Sequence, residues 1–263
     1  MSRQNYYARR RQRCREEVDA GLVEQLVRRE RQVQPRIGTR KLHRVLAREL
    51  AKAGVKIGRD RLFEILRERG LLLEPRRAAY PHTTQFSAYL PTFSNLTDKL
   101  ELNGPNLVYV SDLTYLRTDE GFLYLALITD KWSRKIVGYH CADTLEAEGC
   151  LRALDMALGE LPSASHPIHH SDRGCQYCCH EYVQRLTERG LGISMTEIHH
   201  CAENALAERV NGILKIEYAL DQTFRAKDQA RRAVSQAIHI YNTRRLHTAL
   251  NYRVPALVHA GIA

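Results

Sequence analysis

Three consecutive runs constrain the fold of this chain more than anything else in it: LVYVSDLTYLRT (107–118), FLYLALITD (122–130) and RKIVGYHCAD (134–143). Each is dense in β-branched and aromatic residues, and turn residues such as Asp119-Glu120-Gly121 cut one from the next. They predict a three-stranded meander. After it the pattern alternates: a helix over LEAEGCLRALDMALGEL, a short strand in PIHHSD, a helix over CHEYVQRLTERG and a strand in LGISMT. Two further helices follow, in ENALAERVNGILKIEYAL and AKDQARRAVSQAIHIYNTRRL. Strands that are antiparallel at first and separated by helices later make an α/β domain with a mixed sheet.

The first third has a different character. REEVDAGLVEQLVRRER (15–31) carries Val18, Leu22, Leu26 and Val27 at helical spacing. After Pro35 and Gly38, Thr39 is the expected cap of a second helix, with Leu42, Val45, Leu46 and Leu50 on one face and Gly54 as its stop. A third helix places Leu62, Ile65 and Leu66 inward and ends at Gly70. Two short amphipathic helices with a tight connection and basic outer faces form a helix-turn-helix pattern. Residues 1–79 hold 22 Lys and Arg against 10 Asp and Glu, whereas residues 80–263 hold 18 against 20. The chain's formal charge of +10 therefore arises entirely in its first third. Charge clustered this way is the footprint of polyanion binding, in which Lys and Arg displace counterions from phosphates. Residues 1–79 are expected to be a basic DNA-binding region, with Arg40, Lys41, Arg44, Arg59 and Arg61 as contacts to duplex DNA. Periodicity fails from Leu73, and Pro81 and Pro91 mark a linker over 80–103. The catalytic domain is expected over 104–263.

No run of about eighteen apolar residues occurs, so no membrane span is expected. The basic opening MSRQNYYARRRQRCR lacks the apolar stretch of a secretory signal. Seven irregularly spaced cysteines suit reduced thiols better than a disulfide framework.

Three carboxylates have suggestive positions for chemistry at a phosphate. Metal-assisted phosphoryl transfer needs hard oxygen ligands converging from separate elements. Asp112 interrupts an apolar strand, where a carboxylate is costly unless paired or metal-bound. Asp172 ends the fourth strand, where the side chains of an open sheet reach a crevice. The helix after residue 202 offers a third. At about 100° per residue, Glu208 and Lys215 fall within roughly 20° of one face, with Asn204 and Asn211 near it. Glu203 lies about 140° away from Glu208, so it cannot serve the same site.

Thirty-five residues separate Asp172 from Glu208, and Lys215 follows seven positions later. With these spacings, the segments HHSDRGCQY, ISMT, ENALAERVNGILK and YNTRRLHTALNYRVP, together with the meander, resemble the DDE transposases of bacterial insertion sequences. More narrowly, the chain resembles the second-reading-frame catalytic subunit of insertion-sequence family three, relatives of retroviral integrases. IGTRKLHRVLARELAKAGVKIGRDRLFEILRERGLL is similar to the small helical domain that precedes that family's core. The resemblance implies an RNase H-like, five-stranded mixed sheet flanked by helices. It also implies Asp112, Asp172 and Glu208 as catalytic and metal-binding residues holding two Mg²⁺ or Mn²⁺ ions, and Lys215 as a contact to the element's terminal DNA. Asn204 and Arg209 would have supporting roles, Asp130 a structural one, and Trp132 would pack in the core. The implied partners are the element's terminal inverted repeats and target DNA. Assembly would be as a homo-oligomer on that DNA, with a possible frameshift fusion to an upstream helix-turn-helix subunit. The implied location is the bacterial cytoplasm, at the nucleoid. The chain departs from the family at Cys175, where serine is usual, and in the loop EIHHCAE (197–203). Two other functions share these features: a repressor of transposition without chemistry, and an RNase H-like nuclease on structured nucleic acid.

HHSDRGCQYCCH (169–180) also admits a zinc reading, with Cys175 and Cys178 completed by His199, His200 and Cys201. The expected role is instead a frame around Asp172, with a helix starting at Cys178 and Cys179.

Overall fold

The computed structural model describes residues 3–74, 91–98, 100–197 and 203–262, without the side chain of residue 11. The chain divides into two compact units, residues 1–77 and 78–263. The first is all helical: α1 (Arg3–Val33), α2 (Thr39–Lys52) and α3 (Arg59–Glu68). Its core joins Val23, Leu26 and Val27 of α1 to Leu42, Leu46 and Leu50 of α2 and Leu62, Ile65 and Leu66 of α3. Helix α1 begins twelve residues before the expected start, and its described side chains from Arg3 to Val18 are exposed. Val18, expected on the buried face, is 71% exposed, and Ala20 and Val23 take its place in the core. Thr39 is the first helical residue of α2 rather than its cap; Gly38 holds the cap position with extended backbone. Gly54 and Gly70 stop their helices as expected, with φ of 73° and 63°.

The second unit is built on β1 (Val108–Thr118), β2 (Gly121–Asp130), β3 (Ile136–Ala142), β4 (Ile168–Ser171) and β5 (Gly192–Met195). Their order in the sheet is β3-β2-β1-β4-β5. The β1–β2 and β2–β3 pairs are antiparallel, and β1–β4 and β4–β5 are parallel. A two-residue β6 (Thr223–Phe224), not foreseen from the sequence, adds beside the far end of β1. Strand alternation sends Tyr109 of β1 and Ala126 and Ile128 of β2 to one face. There they pack with Val137, with Cys150, Ala153, Leu154, Ala157 and Leu158 of α4 (Ala147–Gly159), and with Tyr182 and Leu186 of α6 (His180–Glu188). Helix α4 lies so close to β3 that a Cβ on Gly138 would collide with the Ala153 carbonyl oxygen and stand 2.9 Å from the Ala157 Cβ. A short α5 (Cys175–Cys178) precedes α6, and Cys179 caps α6 by position instead of starting one continuous helix with Cys178.

Val108 and Val110 of β1 face the other way, against Ala207 of α7 (Ala205–Glu217). Helix α8 (Lys227–Thr243) packs on β1, β2 and β3 and on α7, and α9 (Pro255–His259) packs on α8 and reaches Ser133 through His259. Beyond α8, Arg245 is 4% exposed and grips Glu217 with two bonds of 2.8 and 2.7 Å, anchoring the C-terminal turn of α7. Asp130, fully buried at the end of β2, organises the following turn. It accepts from the Ser133 amide and hydroxyl, both at 2.6 Å, and from the Asn106 amide at 2.8 Å. Burial pushes its carboxyl up, but these bonds and His259 outweigh burial and hold it below the ordinary range. Trp132, in the same turn, is 37% exposed and so is not the core residue expected, because Asp130 and Ser133 fill the turn's interior.

Candidate active site

Strands β1 and β4 run parallel with Val108 beside Ile168 and Val110 beside His170. The same register carried two residues further sets Asp112 level with Asp172, which directly follows β4. On that side, among the described residues, β1 has no neighbouring strand between its β4 pairs at 108–110 and its β6 pairs at 117–118. Asp112 therefore sits at a break in the sheet, where a crevice forms beside a strand end. Its side chain shares the face of Val108 and Val110, the face that α7 covers.

Helix α7 is docked on β1 by two buried asparagines, each 3% exposed. Asn204 Nδ2 donates to the Ser111 carbonyl at 2.9 Å, and Asn211 Nδ2 donates to Asp112 Oδ2 at 2.6 Å. The polar stripe expected on this helix exists, but these two members bind the strand. One turn from Asn211, Glu208 is exposed and lies within the electrostatic field of Asp172. The Leu113 amide donates to Asp112 Oδ1 at 2.9 Å, and the Gly174 amide donates to Asp172 Oδ1 at 3.0 Å.

The three carboxylates perturb one another. Asp112 keeps some solvent exposure, yet burial of its carboxyl, then repulsion from Asp172, push its pKa up to about 7. Asn211 and the Leu113 amide oppose that shift, and Glu208 adds a smaller repulsion. Glu208 is raised by burial and by Asp172. Asp112, Asp172 and Glu208 are thus brought to one crevice from three elements. As they stand, no group of three or more His, Cys, Asp or Glu among the described residues is arranged to hold a metal ion.

Lys215 is only 8% exposed, and its ammonium lies 4.7 Å from the centre of the Tyr115 ring. Burial lowers its pKa, and Asp112 pulls the other way. Glu203 stands apart from the carboxylate set, accepting from Asn95 Nδ2 at 3.0 Å and from the Glu197 amide at 2.6 Å.

The two histidines of HHSD are interior groups. His169 Nε2 is 2.6 Å from Ser111 Oγ and 3.0 Å from the Tyr182 hydroxyl, and His170 Nδ1 is 2.8 Å from Ser194 Oγ. Burial, aided by the neighbouring His170, pushes His169 down to about 3, so its ring is neutral. Ser111, His169 and Tyr182 form a brace between β1 and β4 that nothing in the residue spacing announced. Cys178 is buried, its thiol 3.8 Å from the Met195 sulfur and pushed up to about 11, chiefly by burial. His199, His200 and Cys201 lie outside the described residues.

In the helical unit, Arg40, Arg44 and Arg59 are exposed, and Lys41 and Arg61 are partly so. Arg59 pairs with Asp60 at 2.9 Å, and Arg61 with Glu64 and Glu68 at 3.1 and 3.5 Å.

The same architecture recurs in known proteins. The Integrase core domain family matches residues 103–201, and a second family of that description matches 189–255. The simian T-cell lymphotropic virus intasome, solved in complex with PP2A regulatory subunit B56 gamma, superposes with a TM-score of 0.50 at 18% identity. That match covers 84% of this chain and 74% of the other. Fold and family together define the class, an RNase H-like integrase core of the DDE polynucleotidyl transferases. Two relatives narrow it. The uncharacterized 31 kDa protein of insertion element IS600 from Shigella sonnei is 38% identical over 221 residues, 83% of this chain and 79% of that protein. Transposase InsF for insertion sequence IS3A from Escherichia coli (strain K12) is 34% identical over 206 residues, 77% of this chain and 71% of that protein. The chain belongs to the IS3 family of insertion-sequence transposases.

Proposed function

We propose that the chain cuts DNA strands at the ends of its own insertion sequence and joins the freed ends to target DNA, with Asp112, Asp172 and Glu208 as ligands of two Mg²⁺ or Mn²⁺ ions. The observation that carries this reading is the convergence of the three carboxylates, where burial first, then repulsion from Asp172 and more weakly from Glu208, push Asp112 up to about 7. Hard oxygen donors that repel one another in a partly dry crevice are a donor set that a divalent cation relieves, so the residues fit the metal. When bound, two such ions supply an activated oxygen nucleophile and stabilise the leaving oxygen.

The protein's own contribution is positional. Asn211 fixes Oδ2 of Asp112, and the Gly174 amide fixes Oδ1 of Asp172. Lys215 addresses a phosphate of the terminal DNA. Residues 1–79 hold duplex DNA through Arg40, Lys41, Arg44, Arg59 and Arg61, residues 80–103 link, and 104–263 form the catalytic core. The charge surplus of residues 1–79 supports that division. Assembly on DNA as a homo-oligomer, and fusion to an upstream subunit by frameshifting, belong to the same reading. The test is substitution. Asp112→Asn, Asp172→Asn and Glu208→Gln should each abolish Mg²⁺-dependent cleavage of element-end DNA while duplex affinity stays near wild type. Glu203→Gln, whose residue serves Asn95 and Glu197 instead, should cleave normally. Near-normal cleavage by any of the three carboxylate variants would remove that residue from the site.

A further inference from the structure

Lys215 is carried by α7, which lies on the Asp112 face of the sheet. Tyr115 is three residues from Asp112 in β1, so strand alternation sends its ring to the opposite face. The ammonium nevertheless stands 4.7 Å from the centre of that ring. The sheet is open here, because among the described residues no strand pairs with β1 on this side between residue 110 and residue 117. The ammonium and the ring meet beside that open stretch of β1, within the electrostatic reach of Asp112. The ring is itself held from β2, where Phe122 meets it edge-on with centroids 5.3 Å apart.

The ammonium of a lysine that is only 8% exposed is costly to keep charged, and an aromatic face offsets part of the cost through its quadrupole. Asp112 and Asp221 favour the charged form as well, and Arg117 opposes it.

We propose that Tyr115 is a positioning residue: its ring face stations the Lys215 ammonium in the open edge of β1, where a DNA phosphate approaching the carboxylates meets it. This rests on the reading of Lys215 as a phosphate contact, and two measurements separate the two ideas. The first needs neither metal nor DNA. The full-length protein is treated with acetic anhydride and the acetylation rate of each lysine is read by peptide mass spectrometry. Tyr115→Phe keeps the ring and keeps Lys215 protected. Tyr115→Leu raises the Lys215 rate about tenfold, the scale of a desolvated cation–π contact, while half-buried Lys131 stays as in wild type. An unchanged Lys215 rate in Tyr115→Leu, or an equal rise at Lys131, overturns the proposal. The second measurement is Mn²⁺-dependent nicking of supercoiled plasmid. Tyr115→Leu and Lys215→Met should lose similar activity, and the double variant no more than either alone. Additive losses overturn the coupling. Wild-type nicking by Lys215→Met would instead remove the phosphate role argued above, leaving the ring contact to be judged by the acetylation rates.

Discussion

Asp112 concentrates the physics of the site in one side chain. Its ordinary carboxyl pKa of 3.8 rises to about 7 in the folded chain, through burial first and Asp172 second. The native state thus binds a proton more tightly than the unfolded chain does. The stability this confers is complete below 3.8 and is lost as pH climbs through 7. Asp112→Asn removes the titration, so in chelator at pH 8 this variant should melt several degrees above wild type, and the gap should narrow steadily as pH falls from 7 towards 3.8. Added Mg²⁺ at pH 8 should raise the wild-type melting temperature and leave Asp112→Asn unmoved. A difference independent of pH in scanning calorimetry would show that Asp112 is not the strained group. The positions of Asp112 and Asp172 were legible because a carboxylate inside or at the end of an apolar strand is conspicuous, and Glu208 because helical periodicity separates it from Glu203. The bonds of Asn211 and Tyr115 were not legible. Each depends on which strand a helix lands on, and spacing along one helix says nothing of that.

Among the elements, α5 and the stretch HHSDRGCQYCCH show how local pattern and tertiary setting divide the work. The strand before Asp172 and the helix after it follow from the residues. The break at Cys179 does not, because it is set by how Cys178 and Tyr177 turn into the core while α6 restarts from a new cap. The cysteines should behave unlike one another. Cys178→Ser replaces a buried thiol packed on Met195 with a more polar hydroxyl and should cost about 1–2 kcal/mol in denaturant unfolding. Cys175→Ser, at a partly exposed position, should be close to neutral. A zinc centre through both residues predicts instead equal, large losses for the two variants and a chelator-induced collapse in melting temperature. Helix α1 and the lost cap at Thr39 teach the same lesson for the helical unit. Apolar spacing located the buried half of α1, but nothing in the arginine-rich stretch before it signalled helix.

At the scale of the whole molecule, the charge surplus and the proposed metal ligands Asp112, Asp172 and Glu208 occupy different parts of the chain. The carboxylates all lie in the second unit, and the positive surplus all lies in residues 1–79. Removing residues 1–79 should weaken duplex binding and flatten its salt dependence, since each neutralised phosphate contributes about −0.9 to the log–log slope. An unchanged slope in fluorescence anisotropy titrations would assign DNA retention to residues 80–263 alone. The level pairing of β1 with β4 has a consequence for how the gene can change length. Asp112 and Asp172 meet because of which rungs of the sheet they occupy, and the chain between them only has to return to the right rung. Two residues inserted between exposed Ser163 and Ala164 should leave cleavage intact. A single residue inserted within 168–171 turns every following side chain of β4 to the wrong face and should abolish it. In-frame insertions should therefore be tolerated in the connection and abolish cleavage in the four residues before Asp172, a boundary that an insertion scan read by DNA nicking would trace directly.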